Sequence, residues 1–441
     1  MQYNDITFYL GIKDKEMKII DQYYKVLDGR MAKIIKIQRN QVETPCPYCG
    51  KKTKRVHDYR NQKIKHTKLC DYDTYIIYRK RRYVCMGCNK RFYEPNSVTP
   101  KYGKLSSHLK LKILQLLKKK VSMTDIGDMT NVSTSTVLRT LKSLQEFVSN
   151  HRTLPEVICM DEFRSVKNVG NYSFIMGDPT EGKIIDILPN RFKKDLLSYF
   201  RKIDIKERRK VKYVIMDAWT TYRDVAKAVF PNAIIIADRF HYIRQIYWAF
   251  NAIRIKVQDQ LYKTNRRIYN IMKKNWKALI AYSKNLNGKQ PFYSRQYKRY
   301  VTVFDIIDDC LQASDELAHA YALKEQFYDI VHTSTYETIE TDLTNYSQTL
   351  VDSGLPEYNG AITAFTNWKQ EIINSFIINE HVDRDDNENY YYTNGYIEGL
   401  NNFIKVIKRV AFGYRNFDNF KTRILYIHNN KNKNRKMKKV V

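Results

Sequence analysis

The sequence predicts a multidomain α/β protein. It begins with a small β-ribbon that contains two cysteine pairs and continues with a pair of short helices. A mixed-sheet domain follows, and a mainly helical insertion interrupts it. Three features lead to this fold class: two Cys-x-x-Cys pairs, amphipathic helical spacing after them, and apolar runs that each end in aspartate. At 441 residues the chain is long enough for about three domains. The predicted segments are the ribbon region at 1–100, the short helices at 101–150, the sheet domain at 151–245, the insertion at 246–385, and the return to the sheet domain at 386–441.

The charge of the chain indicates a polyanionic partner. There are 77 lysines and arginines against 46 aspartates and glutamates, a net charge of +31. The common polyanions are nucleic acid and acidic membrane surfaces. Codon bias toward lysine is the alternative, but such bias raises glutamate as well. With 43% hydrophobic and 13% aromatic residues, the sequence excludes a disordered basic tail.

The basic residues are concentrated in blocks. Residues 51–150 carry 23 basic and 7 acidic side chains, whereas residues 301–400 carry 3 basic and 19 acidic ones. Residues 251–300 and 401–441 are again strongly basic. No apolar run approaches the length of a membrane span, and residues 1–10 lack the form of a signal peptide. We therefore expect an intracellular protein that contacts a polyanion at several places and has no membrane partner.

The two cysteine pairs predict a metal site. They are Cys46 with Cys49, and Cys85 with Cys88. Two such knuckles complete a tetrahedral four-sulfur site, so we expect one structural Zn²⁺. A redox pair is the alternative for either motif alone. Three further candidate ligands, which we expect not to bind metal because four thiolates already close the site, are Cys70, His57 and His66.

A strand is predicted between the two pairs, and it leads into a basic run that includes Arg81 and Arg82. Residues 105–119 have helical apolar spacing, and two shorter helices follow, the second of them capped by Ser133. This order and spacing of helices is typical of a helix-turn-helix, whose second helix enters the major groove of DNA. An ordinary helical hairpin is the alternative. The side chains expected to contact DNA are Thr134, Ser135, Thr136 and Arg139 on the helix, and Arg81 and Arg82 on the ribbon.

Three apolar runs beyond residue 155 each end in aspartate. They end at Asp161, Asp217 and Asp238. Buried strands of this kind place chemistry at their carboxyl ends. A single aspartate at a strand end is commonly a turn residue or helix cap, but three in succession favour a shared site.

A fourth carboxylate, Glu398, begins a predicted C-terminal helix. Asn402, Lys405 and Arg409 share its face at helical spacing. One carboxylate followed by cations fits a metal site flanked by phosphates, so we expect Lys405 and Arg409 to contact DNA. A surface helix with internal ion pairs is the alternative.

In combination these motifs resemble bacterial insertion-sequence transposases of the ISL3 family. The motifs that carry the resemblance are the Cys-Pro-x-Cys-Gly knuckle with its second Cys-x-x-Cys, the helix-turn-helix, Asp217 to Tyr222, Asp-Arg-Phe-His from Asp238 to His241, Asn-x-x-x-Glu-Gly-x-Asn around Glu398, and Phe412 to Phe417. The resemblance covers nearly the whole chain. It implies an RNase H-like, retroviral-integrase-like catalytic domain with a DDE triad, which by position would be Asp161, Asp217 and Glu398.

Such a triad would hold two Mg²⁺ ions, for which Mn²⁺ is a possible substitute, because hard cations prefer oxygen ligands. The resemblance also marks Asp238, Arg239, His241 and Asn402 as possible active-site support. For Asp238 and His241 three roles stay open: orienting a metal ligand, contacting DNA, and packing. The cluster Asp383, Asp385, Asp386 and Glu388 is interpreted as a solvated loop.

The resemblance implies a transposase that binds the terminal inverted repeats of its element, joins them to target DNA, and acts as a homodimer or larger synaptic complex in the bacterial cytoplasm, on nucleoid DNA. The first alternative is a sequence-specific DNA-binding regulator with an inactive RNase H-like domain. The second is an RNase H-like nuclease that acts on RNA hybrids or branched DNA.

Overall fold

The computed structural model describes residues 10–100, 103–148, 153–381 and 390–431. The chain divides into two compact units. We call residues 1–150 and 403–441 the terminal unit, and residues 151–402 the central unit. The described residues form the multidomain mixed α/β protein that the sequence predicts. None of the helices within these ranges is both long enough and apolar enough to cross a membrane.

A five-stranded sheet forms the first part of the terminal unit. Its strands are β1 (Met17–Leu27), β2 (Arg30–Arg39), β5 (Val56–Lys65), β6 (Asp73–Val84) and β7 (Arg91–Tyr93); β3 (Thr44–Pro45) and β4 (Lys52–Thr53) pair with each other. The order is β1-β2-β6-β5, with β7 paired to β6, and only the β2–β6 pair among them is parallel. Asp28 and Gly29 join β1 to β2 with φ of +50° and +76°, which fits a type I′ turn.

Short helices follow this sheet. They are α1 (Ser107–Leu117), α2 (Met123–Thr130), α3 (Thr134–Lys142) and α4 (Gln145–Val148). Ser122 and Asp125 form a capping box at the start of α2. Between α2 and α3 the backbone approaches itself closely, since a Cβ on Gly127 would lie 2.7 Å from the carbonyl oxygen of Val132. Glycine therefore permits the tight α2–α3 connection.

The central unit contains a second five-stranded sheet. Its strands are β8 (Val157–Arg164), β9 (Tyr172–Asp178), β10 (Lys183–Leu188), β11 (Tyr213–Met216) and β12 (Ile234–Ala237). The order is β10-β9-β8-β11-β12; β8, β9 and β10 are antiparallel neighbours, and β11 lies parallel to both β8 and β12. Apolar side chains of these strands and of the surrounding helices form one buried core.

Helices make up most of the rest of the central unit. They are α5 (Lys193–Arg201), α6 (Ile205–Arg208), α7 (Thr220–Val229), α8 (Arg239–Thr264), α9 (Arg266–Ile280), α10 (Val303–Leu311), α11 (Asp315–Thr333), α12 (Ile339–Asp352), α13 (Asn359–Asn367) and α14 (Lys369–Asn374), with a hairpin of β13 (Phe292–Ser294) and β14 (Arg299–Val301). Helix α8 begins directly after Asp238, so residue 246 lies inside a continuous helix. The cluster from Asp383 to Glu388 lies outside the described residues.

Two helices close the described chain. Helix α15 (Gly395–Val410) contains the boundary between the units, and α16 (Phe417–Lys431) belongs to the terminal unit. Arg423 of α16 is 1% exposed, and its Nη2 donates to the carbonyl oxygens of Lys119 at 2.8 Å and Val121 at 3.0 Å. The hydroxyl of Tyr426 donates to Leu114 O at 3.2 Å. The end of the chain thereby completes the core formed by α1, α2 and α3.

Candidate functional site

Strand register brings the three predicted aspartates to one level of the central sheet. Met160 of β8 lies opposite Met216 of β11, which in turn lies opposite Ala237 of β12. Asp161, Asp217 and Asp238 are the next residues along the three parallel strands. Strand β8 continues to Arg164, so Asp161 lies within a strand, whereas Asp217 and Asp238 follow theirs.

Asp217 is held by a histidine and an asparagine. Nε2 of His241 lies 2.8 Å from Asp217 Oδ2, and Nδ2 of Asn394 donates to Asp217 Oδ1 at 3.3 Å. The peptide N–H of Asn394 donates to Asp238 Oδ1 at 2.9 Å. Donor atoms of Asp217, Asp238 and His241 all lie within 4.8 Å of one another. The family motif from Asp238 to His241 therefore contributes directly to the surroundings of Asp217.

Asp161 is held by helix α15 and by the backbone of its own strand. Nδ2 of Asn401 donates to Asp161 Oδ2 at 2.8 Å, and the N–H of Glu162 donates to Asp161 Oδ1 at 2.7 Å. Asn401 lies three residues after Glu398, so the two share one side of the helix. Glu398 itself is exposed. Asn394, just before the helix, and Asn401, two turns into it, thus attach the segment bearing Glu398 to two of the aspartates.

The electrostatics of the site favour a cation. Burial, reinforced by the charge of Asp217, raises the pKa of Asp161 to about 7. Burial also raises the pKa of Asp238. Burial lowers the pKa of His241, but its hydrogen bond to Asp217 and the charge of that carboxylate outweigh the loss, so the net change is upward. Neighbouring carboxylates repel each other when both are ionised, and a bound cation would reduce this repulsion.

The donor set fits a hard divalent metal. Carboxylate oxygens are the ligands that Mg²⁺ prefers, and Asp217 and Asp238 present them beside the imidazole of His241. Asn394 is 5% exposed, and within the described residues its Oδ1 has no hydrogen-bond partner. This buried oxygen beside Asp217 is a further potential donor. Among the described residues, Asp161 and Glu398 are outside the group whose donor atoms all approach within 4.8 Å.

A second network lies beside Asp161. Glu162 forms an ion pair with Arg191 and accepts a hydrogen bond from the Tyr222 hydroxyl at 2.9 Å. The Arg191 guanidinium lies 4.4 Å from the ring centre of Trp219 and 4.5 Å from that of Tyr172. These contacts fix the strand that carries Asp161. They were not predicted, although Trp219 and Tyr222 fall inside the Asp217 to Tyr222 motif.

The other predicted support residues have different surroundings. Asn402 is exposed on α15, and Asn401 is the neighbour that contacts Asp161. Arg239 stacks on Tyr391 and Phe376, with its guanidinium carbon 3.7 and 4.2 Å from the ring centres, and its Nε donates to Ser375 O. Arg239 therefore packs the start of α8 within the central unit.

The four predicted cysteines meet in the terminal unit. Sγ of Cys46 lies 3.6 Å from that of Cys88, and Sγ of Cys49 lies 3.4 Å from that of Cys85. All four sulfurs lie within 4.8 Å of one another. A tetrahedral zinc with Zn–S bonds of about 2.3 Å separates its sulfurs by about 3.8 Å, so this donor set fits structural zinc. His66 instead bonds Ser106 Oγ through Nδ1 at 2.8 Å.

The two predicted ribbon arginines differ in exposure. Arg81 is 4% exposed, its Nη1 lies 3.3 Å from Glu94 Oε2, and it donates to the Arg39 carbonyl. Because β6 extends to Val84, strand alternation turns the side chain of Arg81 inward. Arg81 is therefore too buried for the predicted contact with DNA. Arg82 is half-buried, and its Nη1 lies 3.6 Å from Asp58 Oδ2.

A groove of about 1280 Å³ lies between α3 and the β5–β6 part of the sheet. We call it the basic groove. Its lining includes the cations Lys63, Lys65, Lys104, Lys110 and Arg139, the hydroxyl of Thr136, and one carboxylate, Asp28. Lys65 Nζ donates to Asn131 O at 2.7 Å and so ties the sheet to the α2–α3 turn. Of the other predicted contacts, Ser135, Lys405 and Arg409 are exposed and Thr134 is half-buried.

Comparison with known families matches two parts of the chain. Residues 158–424 match the model of the ISL3 DDE group, described as a transposase. Residues 43–88 match the zinc-finger model of the transposases of IS204, IS1001, IS1096 and IS1165. The first match includes Asp161, Asp217, Asp238 and Glu398, and the second includes all four clustered cysteines.

Two curated proteins are similar in sequence. The transposase for insertion sequence element IS1001 of Bordetella parapertussis is 22% identical over 384 residues, which cover 85% of this chain and 86% of that protein. A protein of Lactococcus lactis subsp. lactis named ATP-dependent protease is 34% identical over 145 residues, 33% of this chain and 41% of that protein. The second match spans too little of either protein to carry its named activity over.

Proposed function

Since the chain belongs to the ISL3 family of insertion-sequence transposases, which are DNA-cutting enzymes of the DDE type, we propose that Asp161, Asp217 and Glu398 are its catalytic triad. In this proposal the protein binds the terminal inverted repeats of its element, then cleaves and joins DNA strands in a Mg²⁺-dependent reaction. The observation that carries the proposal is the attachment of the Glu398 segment to both aspartates through Asn394 and Asn401.

The metal requirement follows from the donor set. Two Mg²⁺ ions, or Mn²⁺ in their place, would supply an activated water or DNA 3′-hydroxyl and stabilise the leaving oxygen. Asp161 and Asp217 would provide oxygen ligands from adjacent strands, and Glu398 would provide a third from the exposed start of α15. The raised pKa of Asp161 supports a cation at this point, as does Asn394 Oδ1, which has no hydrogen-bond partner among the described residues.

The neighbouring side chains orient these carboxylates. His241 donates from Nε2 to one oxygen of Asp217, and Asn394 donates to the other, so the Asp217 carboxylate has little rotational freedom. Arg244 Nη2 lies 3.2 Å from His241 Nδ1. Because a guanidinium can only donate, Nδ1 accepts and the proton of the neutral ring remains on Nε2. We propose His241 as a positioning residue on this basis.

We propose that the five-stranded sheet of the central unit is an RNase H-like core. Two features support this fold: the mixed parallel and antiparallel strand order, and the alignment of Asp161, Asp217 and Asp238 across neighbouring strands. The helices from α9 to α14 would then be the insertion that separates the sheet from Glu398. The five predicted segments, 1–100, 101–150, 151–245, 246–385 and 386–441, remain our proposed organisation in outline, with α8 running across the boundary at residue 246.

We propose that α2 and α3 form a helix-turn-helix that reads the inverted repeat. Helix α3 would present Thr134, Ser135, Thr136 and Arg139 to the bases, since arginine pairs well with guanine in the major groove. The lysines of the basic groove, together with Arg82, would contact the flanking phosphates. Lys405 and Arg409 would bind phosphate near Glu398. One structural Zn²⁺ on the four cysteines would hold the ribbon in shape.

The phosphate contacts have a quantitative test. Each lost phosphate contact reduces the slope of log affinity against log salt concentration by about 0.9. Lys63→Ala and Lys104→Ala should each lower the slope by about this amount without changing which bases are preferred. Lys15→Ala, an exposed change outside the groove, is the control. Slopes equal to that of the wild type for both groove variants would remove the groove from the proposed interface.

Cleavage of a labelled inverted-repeat duplex tests the catalytic proposal. Asp161→Ala and Glu398→Gln should abolish Mg²⁺-dependent cleavage while leaving duplex binding intact, whereas Glu337→Gln, at an exposed site, should cleave normally. Full cleavage by Glu398→Gln would overturn the triad. Binding without cleavage by the wild type would favour the DNA-binding regulator, and preferred cleavage of an RNA–DNA hybrid would favour the nuclease.

Transposition joins two element ends, so we propose a homodimer or larger synaptic complex on inverted-repeat and target DNA. Its expected location is the bacterial cytoplasm, on nucleoid DNA.

A further inference from the structure

Within the described residues, one edge of the first strand of the terminal unit is unpaired. Among the strands that the structure describes, β1 pairs with β2 alone and ends the sheet. Residues 20–26 are all exposed, and they include Ile20, Tyr24 and Val26 at 41%, 54% and 59% exposure. A long, partly apolar edge strand is a ready template for another strand.

Backbone geometry restricts how a second strand can pair there. The two-residue turn closes on Leu27 and Arg30, which form a hydrogen-bonded pair in such hairpins. Hydrogen bonding alternates along an antiparallel strand, so the odd-numbered residues from 21 to 27 face β2. The N–H and C=O groups of Gln22, Tyr24 and Val26 therefore point away from the sheet. A second copy of β1 must match these even-numbered residues with each other.

The charges of β1 select one of the remaining registers. When two copies run antiparallel about Tyr23, Asp21 lies opposite the partner's Lys25, and Lys25 lies opposite the partner's Asp21. A register about Gln22 places Lys25 opposite Ile19, and one about Tyr24 places Asp21 opposite Leu27. Opposite charges on facing residues stabilise a strand pair, and the same contact occurs twice in a symmetric dimer.

We propose that two copies of the chain pair through β1, antiparallel about Tyr23, and join their sheets. The side chain of Asp21 would then lie between Lys36 of its own chain, whose Nζ is 2.9 Å away, and the partner's Lys25. The bulge between Ile19 and Asp21 ends the regular pairing on one side and the turn ends it on the other. The interface is therefore short. The dimer proposal rests on the proposed function, because bringing two element ends together requires two copies of the protein.

Disulfide crosslinking of the full chain tests the register without DNA or Mg²⁺. Tyr23 faces its own counterpart in a non-hydrogen-bonded pair, whose Cα atoms are about 4.5 Å apart, within reach of a disulfide. Tyr23→Cys should crosslink rapidly, in a Cys70→Ser background because Cys70 is exposed. Gln22→Cys is the matched control, because in this register residue 22 lies opposite residue 24 of the other copy, so the two new cysteines are not opposite each other. Equal crosslinking of the two variants would overturn the register.

Charge exchange provides the second test. Asp21→Lys and Lys25→Asp should each weaken self-association about tenfold or more, because attraction becomes repulsion at two symmetric contacts. Mixing the two variants should restore dimers, which sedimentation at low salt would measure. Mixed variants that remain monomeric while the wild type dimerises would overturn the proposal. Crosslinking by Tyr23→Cys in a protein that fails to cleave repeat ends would instead count against the proposed function.

Discussion

Replacing Asp161 with asparagine should stabilise the metal-free protein at high pH. The folded-state pKa of Asp161 is raised to about 7, first by burial and then by Asp217, against about 3.9 in an unfolded chain. The sign follows from linkage: ionising a carboxyl with a raised pKa opposes folding. The cost is absent below about pH 4, grows between about pH 4 and 7, and is complete above that range.

The size of the effect can be worked from these values. The difference between about 7 and about 3.9, at about 1.4 kcal/mol per pKa unit, gives about 4 kcal/mol. Because Asp161 is only half-buried, we expect about 2 to 4 kcal/mol at pH 8. The side chain of Asn401 can accommodate the new amide. Among the described residues Asn401 Oδ1 has no hydrogen-bond partner, so the Asn401 amide can flip and accept a hydrogen bond from the new NH₂ group.

Thermal unfolding at pH 8 and pH 5 measures this, on protein whose four cysteines carry zinc, in buffer that contains neither Mg²⁺ nor free zinc. For a unit of about 250 residues each kcal/mol is worth about 2 °C, so the transition should rise by about 4 to 8 °C at pH 8 and by much less at pH 5. Adding Mg²⁺ should stabilise the wild type more than the variant. Asp259→Asn, at an exposed site in the same unit, is the control. An equal rise at both pH values would refute the linkage, and no rise at pH 8 would refute the electrostatic strain.

Three further changes have definite outcomes. Gly127→Ala forces a Cβ to within 2.7 Å of the Val132 carbonyl, so we expect about 1 to 3 kcal/mol lower stability of the terminal unit and weaker repeat binding, measured by thermal unfolding and fluorescence anisotropy. Arg423→Met removes the donor to the carbonyls of Lys119 and Val121 and should cost about 1 to 3 kcal/mol, measured as faster amide exchange in α1 and α2. Cys88→Ser should reduce bound zinc, measured by elemental analysis, whereas Cys70→Ser should leave it unchanged.

The arrangement of the three aspartates follows from local sequence. Each apolar run is short and rich in residues that favour strands, and parallel pairing in register brings the residues after the three runs to the same position across the sheet, although β8 itself continues past Asp161. The cysteine cluster follows from spacing in the same way, because each Cys-x-x-Cys forms its own knuckle. Such features were predictable since each depends on a few neighbouring residues.

Features that depend on distant contacts could not be predicted. Positions three and four residues after Glu398 both lie on its side of a helix, so spacing alone does not separate Asn401 from Asn402; the contact with Asp161 does. Arg81 belongs to a basic run in sequence, and only strand pairing reveals that it faces Glu94. The use of α16 to complete the core of α1 to α3 has no local signature, because Arg423 and Lys119 are 304 residues apart.

That last contact has a consequence for synthesis of the protein. At about 5 to 20 residues per second, a ribosome needs about 15 to 60 s to make the 304 residues between Lys119 and Arg423. Throughout that time the buried positions of Arg423 and Tyr426 against α1 are unfilled. A chain released before α16 is translated lacks the last part of this core even though the whole helix pair α2–α3 is present. The unit that carries the helix pair therefore finishes folding only after the segment bearing Glu398 has been made, so incomplete translation products are at a disadvantage in competing for DNA with intact protein.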